Sequence, residues 1–326
     1  MSNTKQPLRD AESAETFHRH RIWLEAQIVA RRGESIDPLD SVTQVELNPT
    51  ELCNRTCVFC PRVDASIYPN RNLHLDLNLA RKIATDLAER NYKGRISLSG
   101  FGEPMLAKNF LTLIRLLREI LPDCIIDTNT NGDRLTSKKI RECFAAGLSF
   151  LYVNLYDGEE QLEKFHKMFA EAGFDRSRYK LRAHWVGSND TYGLYLNNRS
   201  GMVQNEEIGI QKLQTSLKRR CYYPFHRLKI DWNGNVLLCS NDWGRKFIAG
   251  NVKNENLWDI WMSEKMWIAR RKLAMSDRSM DPCNGCDVNG LLSGAGSFEL
   301  LMKHYLAEGK LSQQEYDAIV ATPSVT

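Results

Sequence analysis

Three cysteines lie close together in the stretch NPTELCNRTCVFCPR, residues 48–62, with the spacing C-x3-C-x2-C. They are Cys53, Cys57 and Cys60. A structural zinc site or an ordinary iron-sulfur cluster takes four thiolates from the protein. A tight loop with this spacing can instead hold three corners of a 4Fe-4S cubane and leave one iron open, and an open metal position is a place for chemistry. Considered alone, the loop is also compatible with a partial zinc site or with chance.

Four more cysteines form a second candidate metal site towards the C-terminus. Cys221 precedes and Cys239 ends the stretch LKIDWNGNVLLC, whose Asn-Gly pair between alternating residues predicts a β-hairpin with a type I′ turn. Cys283 and Cys286 follow in a C-x2-C turn. Four thiolates can enclose a metal completely, and taken alone this set favours zinc.

The composition is that of a soluble globular protein with one large core and a smaller second unit, since 42% of its 326 residues are hydrophobic and 26% are charged. No apolar run approaches the roughly 18 residues of a membrane span, and the N-terminus lacks the apolar core of a secretory signal. We therefore expect a cytoplasmic protein that does not bind membranes. The net charge of +4 is dispersed along the chain, which gives no support to nucleic-acid binding. In a cytoplasmic chain, nine cysteines indicate metal or redox chemistry rather than disulfides.

Between residues 41 and 215 the sequence alternates strand-like and helical patterns, as expected of βα units around a parallel sheet. The five predicted strands are VTQVELN, RISLSG, CIIDTNT, FLYVNLY and YKLRAHW. Asp76 and Thr136 stand where the N-caps of two intervening helices are expected. A further helix over ETFHRHRIWLEAQIVARR, ending before Gly33, is expected to cap this domain.

The predicted strands have one apolar face and one polar face. On the first strand, Val45 and Leu47 alternate with Gln44 and Glu46. A doubly wound sheet, covered on both faces, would carry near-continuous apolar runs instead. Polar residues that face inwards fit a barrel, complete or partial, with a ligand-filled interior. Such βα barrels place their chemistry at the C-terminal ends of the strands, which is where the loop of Cys53 begins.

At these residues the sequence resembles the radical S-adenosylmethionine (SAM) superfamily. The family motif is C-x3-C-x-aromatic-C, and Phe59 stands in its aromatic place. The second strand of family members ends in a G-G-E-P-type motif, which the resemblance assigns to the SAM amino group. The stretch SGFGEP matches it through Gly102, Glu103 and Pro104; a phenylalanine replaces the first glycine of the pair, and Gly100 still permits close backbone approach.

The resemblance implies an α/β fold with a partial (β/α)6 TIM-like barrel, a cubane whose open iron binds SAM, and cleavage of SAM to a 5′-deoxyadenosyl radical. By strand order it also implies that Asn154 contacts the ribose of SAM and that Arg182 and His184 meet its carboxylate. The implied protein partner is an electron donor such as flavodoxin or ferredoxin.

Beside a radical SAM core, the four C-terminal cysteines resemble the shortened auxiliary-cluster domain called Twitch, a relative of the SPASM domain. The resemblance implies that they hold a second 4Fe-4S cluster, which the protein ligates fully and which therefore does not bind SAM. The expected domains are a helical extension at 1–40, the barrel at 41–215, the auxiliary hairpin and helix domain at 216–300, and a helix and tail at 301–326.

Segments outside the cluster motifs resemble the 2-deoxy-scyllo-inosamine dehydrogenase family, which oxidises a secondary alcohol of an aminocyclitol in antibiotic biosynthesis. They include KGRISLSGFGEPMLAKN, TNGDRLT, NNRSG and PCNGC. The resemblance implies oxidation of an aminocyclitol, sugar or aminoglycoside intermediate, with the auxiliary cluster accepting an electron. Arg199 in NNRSG matches an arginine near the substrate in that family. We expect it to position the hydroxyl first and to handle its proton second, because arginine is a poor base; a structural loop arginine is the alternative.

Three other functions fit parts of the pattern. A radical epimerase would need a hydrogen donor, usually a cysteine at the barrel mouth. The two cysteines outside the candidate clusters do not suit this role, because Cys124 is expected at the N-terminal end of its strand and Cys143 on the core-facing side of a helix. A tyrosine could serve as the donor instead. A peptide-modifying maturase is disfavoured because no peptide-clasping domain is recognised at the N-terminus. A non-enzymatic iron-sulfur module leaves the open iron and GFGEP unexplained. The stretch VGSNDTYGLYL, before Arg199, is expected to reshape the pocket for a larger substrate.

Overall fold

The computed structural model of the protein describes residues 14–184 and 197–321, and within them eight strands form one sheet. The strands are β1 Gln44–Leu47, β2 Arg95–Leu98, β3 Ile125–Thr130, β4 Phe150–Leu155, β5 Tyr179–Ala183, β6 Arg227–Ile230, β7 Asn235–Leu237 and β8 Ile248–Asn251. Their order is β5-β4-β3-β2-β1-β6-β7-β8, parallel from β5 to β6 and antiparallel beyond. Because β5 and β8 lie at opposite edges, the sheet is open, in agreement with a partial barrel.

The same part of the chain contains ten α-helices. They are α1 Ala14–Arg32, α2 Leu77–Ala88, α3 Phe110–Ile120, α4 Ser137–Ala145, α5 Glu160–Ala172, α6 Tyr223–His226, α7 Leu257–Trp261, α8 Glu264–Ala274, α9 Ala295–Ala307 and α10 Gln313–Ala321. Helices α2 to α5 each connect one parallel strand to the next, as in the predicted βα units. None of the described helices is both long enough and apolar enough to cross a membrane.

All five predicted strands are present as β1 to β5. The sixth parallel strand, β6, is the first arm of the predicted hairpin, and it pairs with β1 so that Gln44 lies opposite Arg227. Since the sheet continues from the barrel into the hairpin, the domain boundary expected near residue 215 stays a prediction. The stretch VGSNDTYGLYL lies outside the described residues.

The predicted helix starts are confirmed by capping hydrogen bonds. The Asp76 carboxylate accepts a hydrogen bond from Asn78 N at 2.9 Å, and the Thr136 hydroxyl accepts one from Lys139 N at 3.1 Å. Each cap satisfies a backbone N–H group that has no partner within its own helix. Helix α1 ends at Arg32, as predicted.

The apolar faces of the strands form the core against helices α2 to α5. Val45, Leu47, Ile96 and Leu98 are fully buried there. Burying a side chain of this size stabilises the folded state by about 1.5–3 kcal/mol, so this layer holds the helices on the sheet. Cys143 of α4 lies in the same core, as its helical spacing predicts.

The opposite faces of the strands carry charges that are paired with one another. Arg95 of β2 and Asp127 of β3 form a buried ion pair, with Arg95 Nη2 3.0 Å from Asp127 Oδ1. The Ser97 hydroxyl donates to the same carboxylate at 2.8 Å. Lys229 of β6 donates to Glu46 of β1 at 2.8 Å. Buried charges require such partners, and the predicted polar interior is confirmed.

The hairpin between β6 and β7 is present, but the predicted type I′ turn is wrong. Gly234 has a φ of +88°, whereas Asn233 is not among the residues with positive φ. A type I′ turn needs positive φ at both central residues. The loop closes through Gly234 N donating to Asp231 O and Asp231 N donating to Asn235 O, both at 2.9 Å. The Asn233 side chain accepts a hydrogen bond from Asn235 N at 3.1 Å, which stabilises a longer loop with glycine alone in the left-handed position.

Helix α1 lies at the N-terminal ends of the strands. The His20 ring is 4.9 Å from the Phe150 ring, and His20 Nδ1 is 3.2 Å from the Tyr152 hydroxyl. The Glu25 carboxylate is 3.4 Å from His226 Nδ1. Phe150 begins β4 and His226 directly precedes β6, so α1 covers this end of the sheet as a capping helix.

We expect Asp127→Ala to lower the free energy of unfolding by about 3–5 kcal/mol, because it leaves the Arg95 guanidinium buried without its carboxylate. The measurement is the urea concentration at which the holoprotein unfolds. Asp123→Ala is the matched control: Asp123 pairs with Lys93 at the surface, where the two side chains are 62% and 51% exposed, and its loss should change stability by less than about 1 kcal/mol. Equal effects of the two substitutions would contradict a stabilising role of the buried pair.

Candidate active site

A cavity of about 470 Å³ opens at the C-terminal ends of the parallel strands, where βα barrels carry their chemistry. The predicted site residues in its lining are Cys53, Cys57, Phe59, Cys60, Gly100, Gly102, Glu103, Asn154, Arg182, His184 and Arg199. Pro104 does not line it and begins the short 3₁₀ helix Pro104–Leu106. The C-terminal cysteine set, Cys221, Cys239, Cys283 and Cys286, is not part of the lining either, although the neighbouring residues Ser240 and Asp287 are.

Hydrogen bonds from two side chains hold the loop of the first three cysteines. Asn70 Oδ1 accepts from Cys53 N at 3.0 Å, and Asn70 Nδ2 donates to Cys53 O at 2.9 Å. Arg62 Nε donates to Phe101 O at 2.8 Å. The cysteine loop is therefore attached directly to the SGFGEP stretch at the end of β2.

The three thiols of this loop are half-buried and lie within electrostatic range of one another. Burial raises the pKa of Cys53 and of Cys60, and burial together with Cys60 raises the pKa of Cys57 to about 12. As free thiols they would stay protonated at neutral pH. A bound metal reverses this, because its charge deprotonates a coordinating thiol. The arrangement is that of a ligand set and not of a free nucleophilic cysteine.

The spacing of the side chains does not suit a single ion. In residues 14–184 and 197–321, no group of three or more His, Cys, Asp or Glu side chains is arranged to hold one metal ion. Each thiolate of a 4Fe-4S cubane binds a different iron, so these ligands stand further apart than the ligands of a zinc ion. The all-sulfur donors and their burial fit an iron-sulfur cluster at both cysteine sets.

Backbone contacts make glycine necessary at position 102. A Cβ atom on Gly102 would lie 2.7 Å from Leu52 O and would overlap a second backbone carbonyl. The next N–H group, that of Glu103, donates to Leu52 O at 2.7 Å. The Glu103 carboxylate accepts from Thr130 Oγ1 at 2.6 Å and from Asn131 N at 2.7 Å, while burial raises its pKa to about 7. The strand end thus presents a carboxyl group beside the cysteine loop.

Phe101, the departure from the family pattern, packs in an aromatic cluster. Its ring lies 4.7 Å from the Trp243 ring and 6.3 Å from the Tyr68 ring, and Lys229 Nζ is 4.7 Å from its centroid. Trp243 follows the hairpin that ends in Cys239. The side chain in place of glycine therefore packs the SGFGEP stretch against the C-terminal part of the chain.

Asn154, Arg182 and His184 form one hydrogen-bonded group on β4 and at the end of β5. Arg182 Nε donates to Asn154 Oδ1 at 2.9 Å, and His184 Nε2 lies 3.0 Å from the same oxygen. Burial lowers the pKa of Arg182 to about 9 and lowers the pKa of His184 far enough to keep the imidazole neutral. The structure brings these three residues together, and their contacts with SAM stay predictions.

Tyr156 and Arg55 belong to the same wall, and sequence reasoning does not identify them. The Tyr156 ring stacks on Phe59 at 6.2 Å, and the Arg55 guanidinium lies 4.8 Å from the Tyr156 centroid. Arg55 forms ion pairs with Asp133 at 2.6 Å and Asp157 at 2.7 Å. Arg55 lies in CNRTC and Asp133 in TNGDRLT. The opposite charges of these two motifs could have predicted the ion pair between them.

Arg199 lies between the two cysteine sets. Its pKa is lowered chiefly by burial, and the groups that oppose this lowering most strongly are Cys60 and Asp287. Its φ of +48° is uncommon for arginine. The preceding Asn198 donates its N–H to both Asp287 oxygens at 3.0 Å and its side-chain amide to Gly285 O at 2.8 Å. The Arg199 loop is therefore attached to the C-x2-C turn.

The members of the C-terminal cysteine set lie within electrostatic range of one another. Burial raises the pKa of each thiol, and the other three raise the pKa of Cys239 further. The buried Arg278 joins the segments that carry them, donating to Arg220 O and to Val288 O at 2.7 Å each. Four sulfur donors from three segments of the chain, three of them buried and that of Cys221 half-buried, fit a fully ligated cluster.

Two family models match the chain in the ranges that hold these cysteines. A model of the radical SAM superfamily matches residues 47–183, and a model of SPASM, an iron-sulfur cluster-binding domain, matches residues 221–287. The chain therefore carries a radical SAM domain followed by a SPASM domain. The two domains imply SAM and two 4Fe-4S clusters as its cofactors.

The similarity extends to a particular dehydrogenase. The chain is 29% identical over 255 residues to the S-adenosyl-L-methionine-dependent 2-deoxy-scyllo-inosamine dehydrogenase of Niallia circulans. The aligned region covers 77% of this chain and 94% of the relative. A crystal structure of BtrN in complex with AdoMet and 2-DOIA is 25% identical with a TM-score of 0.63, over 76% of this chain and 93% of that chain. BtrN in an open conformation, 22% identical with a TM-score of 0.55 over 76% and 92% of the two chains, shares the fold. The protein is a radical SAM enzyme homologous to a dehydrogenase.

We expect the anaerobically reconstituted protein to hold about eight irons, and Cys57→Ala and Cys221→Ala to hold about four each, because each substitution removes a ligand of one cubane. Iron is measured colorimetrically. Cys124→Ala is the control, since its thiol donates to Tyr92 O at 3.1 Å outside both cysteine sets and its loss should leave the iron content unchanged. Full iron content in Cys221→Ala would contradict the second cluster, and full content in Cys57→Ala would contradict the first.

Proposed function

We propose that this enzyme oxidises a secondary alcohol of an aminocyclitol, sugar or aminoglycoside intermediate to a ketone in natural-product biosynthesis. The observation that carries the proposal is the similarity over 94% of the length of a 2-deoxy-scyllo-inosamine dehydrogenase. The relative's name describes oxidation of one such alcohol. A cavity of about 470 Å³ beside both cysteine sets has room for a small polyol.

The chain's own residues have a limited part in this reaction. A cluster and SAM held at Cys53, Cys57 and Cys60 would supply a radical able to take a hydrogen atom from the carbinol carbon, and a cluster held at Cys221, Cys239, Cys283 and Cys286 would supply an acceptor for the remaining electron. A group of the protein must accept the proton that the hydroxyl loses. The residues of the cavity must therefore orient the carbinol carbon, donate to its oxygen and provide a path for that proton.

Arg199 is the residue best placed to hold the hydroxyl. It lines the cavity, and in the part of the chain that the structure describes its Nε is buried without a hydrogen-bond partner. A buried donor of this kind favours an added acceptor such as a substrate oxygen. Because arginine remains a poor base, we assign it the positioning of the hydroxyl first and the transfer of its proton second.

A radical epimerase is the second candidate, because two tyrosines, Tyr156 and Tyr223, line the cavity and could return a hydrogen atom to the substrate. Thiol donors are not available in the described lining beyond the three cysteines of the first loop. Cys124 and Cys143 are buried in the core, away from the cavity. The described lining is therefore compatible with an epimerase that uses a tyrosine as hydrogen donor, but not with one that uses a separate cysteine.

The two reactions are separated by incubating the holoprotein with SAM, dithionite and 2-deoxy-scyllo-inosamine or other aminocyclitols in deuterated water. Oxidation should release 5′-deoxyadenosine and a product lighter by two hydrogens, which mass spectrometry and carbonyl derivatisation detect. An epimerase would give a product of unchanged oxidation state that carries solvent-derived deuterium on carbon. Release of 5′-deoxyadenosine that no aminocyclitol, sugar or aminoglycoside accelerates would count against the proposal.

We expect Arg199→Gln to lower kcat/KM for the alcohol about a hundredfold, because it removes a charged donor to the reacting oxygen. Arg199→Lys should recover part of the loss, since it keeps the charge but not the planar guanidinium. SAM affinity, measured by equilibrium binding, should stay within about twofold of wild type in both variants. An unchanged kcat/KM in Arg199→Gln would show that Arg199 only shapes its loop.

A further inference from the structure

Helix α1 contributes a charged side chain to the cavity from outside the region that the radical SAM model matches, which begins at residue 47. Arg21 of α1 lines the main cavity, and it also lines a small pocket with Gln44 and Arg95, which begin β1 and β2. Arg227, which begins β6, lines both spaces too. We call Arg21 and Arg227 the floor arginines, because they lie at the strand ends opposite the cysteine loop.

The side chains in direct contact with the Arg227 guanidinium are neutral. Its Nη2 donates to the Ser293 hydroxyl at 2.9 Å, and its guanidinium lies 4.4 Å from the centroid of the Tyr223 ring. Among the described residues, its Nε is buried without a hydrogen-bond partner. The carboxylate that acts on it electrostatically is Glu25, which is itself hydrogen-bonded to Ser293 and to the backbone of Gly294.

Arg21 lies near two other arginines and against Tyr152, whose ring centroid is 5.5 Å from the Arg21 guanidinium carbon. Burial and, after it, the charges of Arg95 and Arg227 lower its pKa to about 10, against the opposite effects of Tyr152 and Asp127. Asp127 is the ion-pair partner of Arg95. Two half-buried guanidinium groups that repel one another are unfavourable, and an anion bound beside them would offset that repulsion.

Positive charge dominates the described lining of the cavity, which contains seven arginines and three carboxylates. All three carboxylates already have partners, because Glu46 accepts from Lys229 at 2.8 Å, Asp287 accepts from Asn198 N at 3.0 Å, and Glu103 accepts from Thr130 and Asn131 as described above. Thiolates of a bound cluster would balance the arginines near them, such as Arg199, on which Cys60 acts. The carboxylates that act on Arg21 are those of Asp127 and Glu46, and they are already paired with Arg95 and Lys229.

We propose that the floor arginines bind an anionic group of the substrate, a phosphate or a carboxylate. Guanidinium groups bind both anions with paired, charge-assisted hydrogen bonds. The inference rests on the proposed alcohol oxidation in the same cavity and narrows its substrate class to a cyclitol or sugar that carries an acidic group. An amine in that position would be repelled by the floor arginines.

The test is equilibrium binding of four matched sugars to the holoprotein with SAM and without reductant, so that nothing turns over. Glucose 6-phosphate or glucuronate should bind at least tenfold more tightly than glucose and glucosamine. Arg21→Gln should weaken binding of the preferred anionic sugar roughly tenfold to hundredfold, because it removes a charged hydrogen-bond donor. The two anionic sugars distinguish phosphate from carboxylate.

Arg31→Gln is the matched control, since Arg31 is an exposed arginine in the last turn of the same helix and should leave the affinity unchanged. Arg21→Lys should retain part of the preference for the anion, and the iron content of each variant shows whether the fold is intact. Equal binding of the four sugars, or binding of none, overturns the inference. A preference for the anion that survives Arg21→Gln overturns the role of Arg21.

The same preparations separate this inference from the proposed function. With dithionite added, a ketone formed from glucosamine or 2-deoxy-scyllo-inosamine, without any preference for anionic sugars, would support alcohol oxidation and overturn the anion site. Tight, Arg21-dependent binding of an anionic sugar without ketone formation from any of these compounds would support the anion site and count against alcohol oxidation.

Discussion

The ion pair between Lys229 and Glu46 connects the parts of the molecule on which the active site depends. Lys229 is fully buried, and its ammonium group donates to Glu46 on β1 at 2.8 Å and to Ser99 O in the SGFGEP stretch at 3.3 Å. The second Glu46 oxygen accepts from Ser240, the residue after Cys239, at 2.9 Å. A buried ammonium that lost its carboxylate would be strongly unfavourable. One pair therefore holds β1, β6, the predicted SAM loop and the auxiliary hairpin in a single arrangement.

This arrangement places two kinds of cysteine set on either side of one cavity. The first is a loop with three thiols, predicted to leave one metal position for SAM, and the second is a set of four thiols from three separate segments. The Arg199 loop connects them, since Asn198 is hydrogen-bonded to Asp287 beside the C-x2-C turn and Cys60 acts electrostatically on Arg199. A substrate held at Arg199 would therefore lie near both predicted clusters.

Much of the fold was predictable because its signals are local. The alternation of Val45 and Leu47 with Gln44 and Glu46 follows the two-residue period of a strand, and the caps Asp76 and Thr136 act on N–H groups within three residues. The type I′ turn was wrongly predicted because Asn-Gly is compatible with several loops, and hydrogen bonds of Asp231 with Gly234 and Asn235 select a longer one. The stacking of Tyr156 on Phe59 could not be predicted, because it joins residues almost a hundred positions apart in sequence.

The sequence by itself determined the chemistry of the donors. Cysteine spacing sets how many sulfurs a loop can offer to a metal, and a family motif such as SGFGEP is read from consecutive residues. Only the tertiary structure decided what else faces the cavity. Arg21 of α1 and Arg227 of β6 line the same end of the cavity because helix α1 packs against the strand ends. The residues next to them in the sequence do not predict this. Substrate preference depends on such distant pairs, since electrostatic forces act through space and not along the chain.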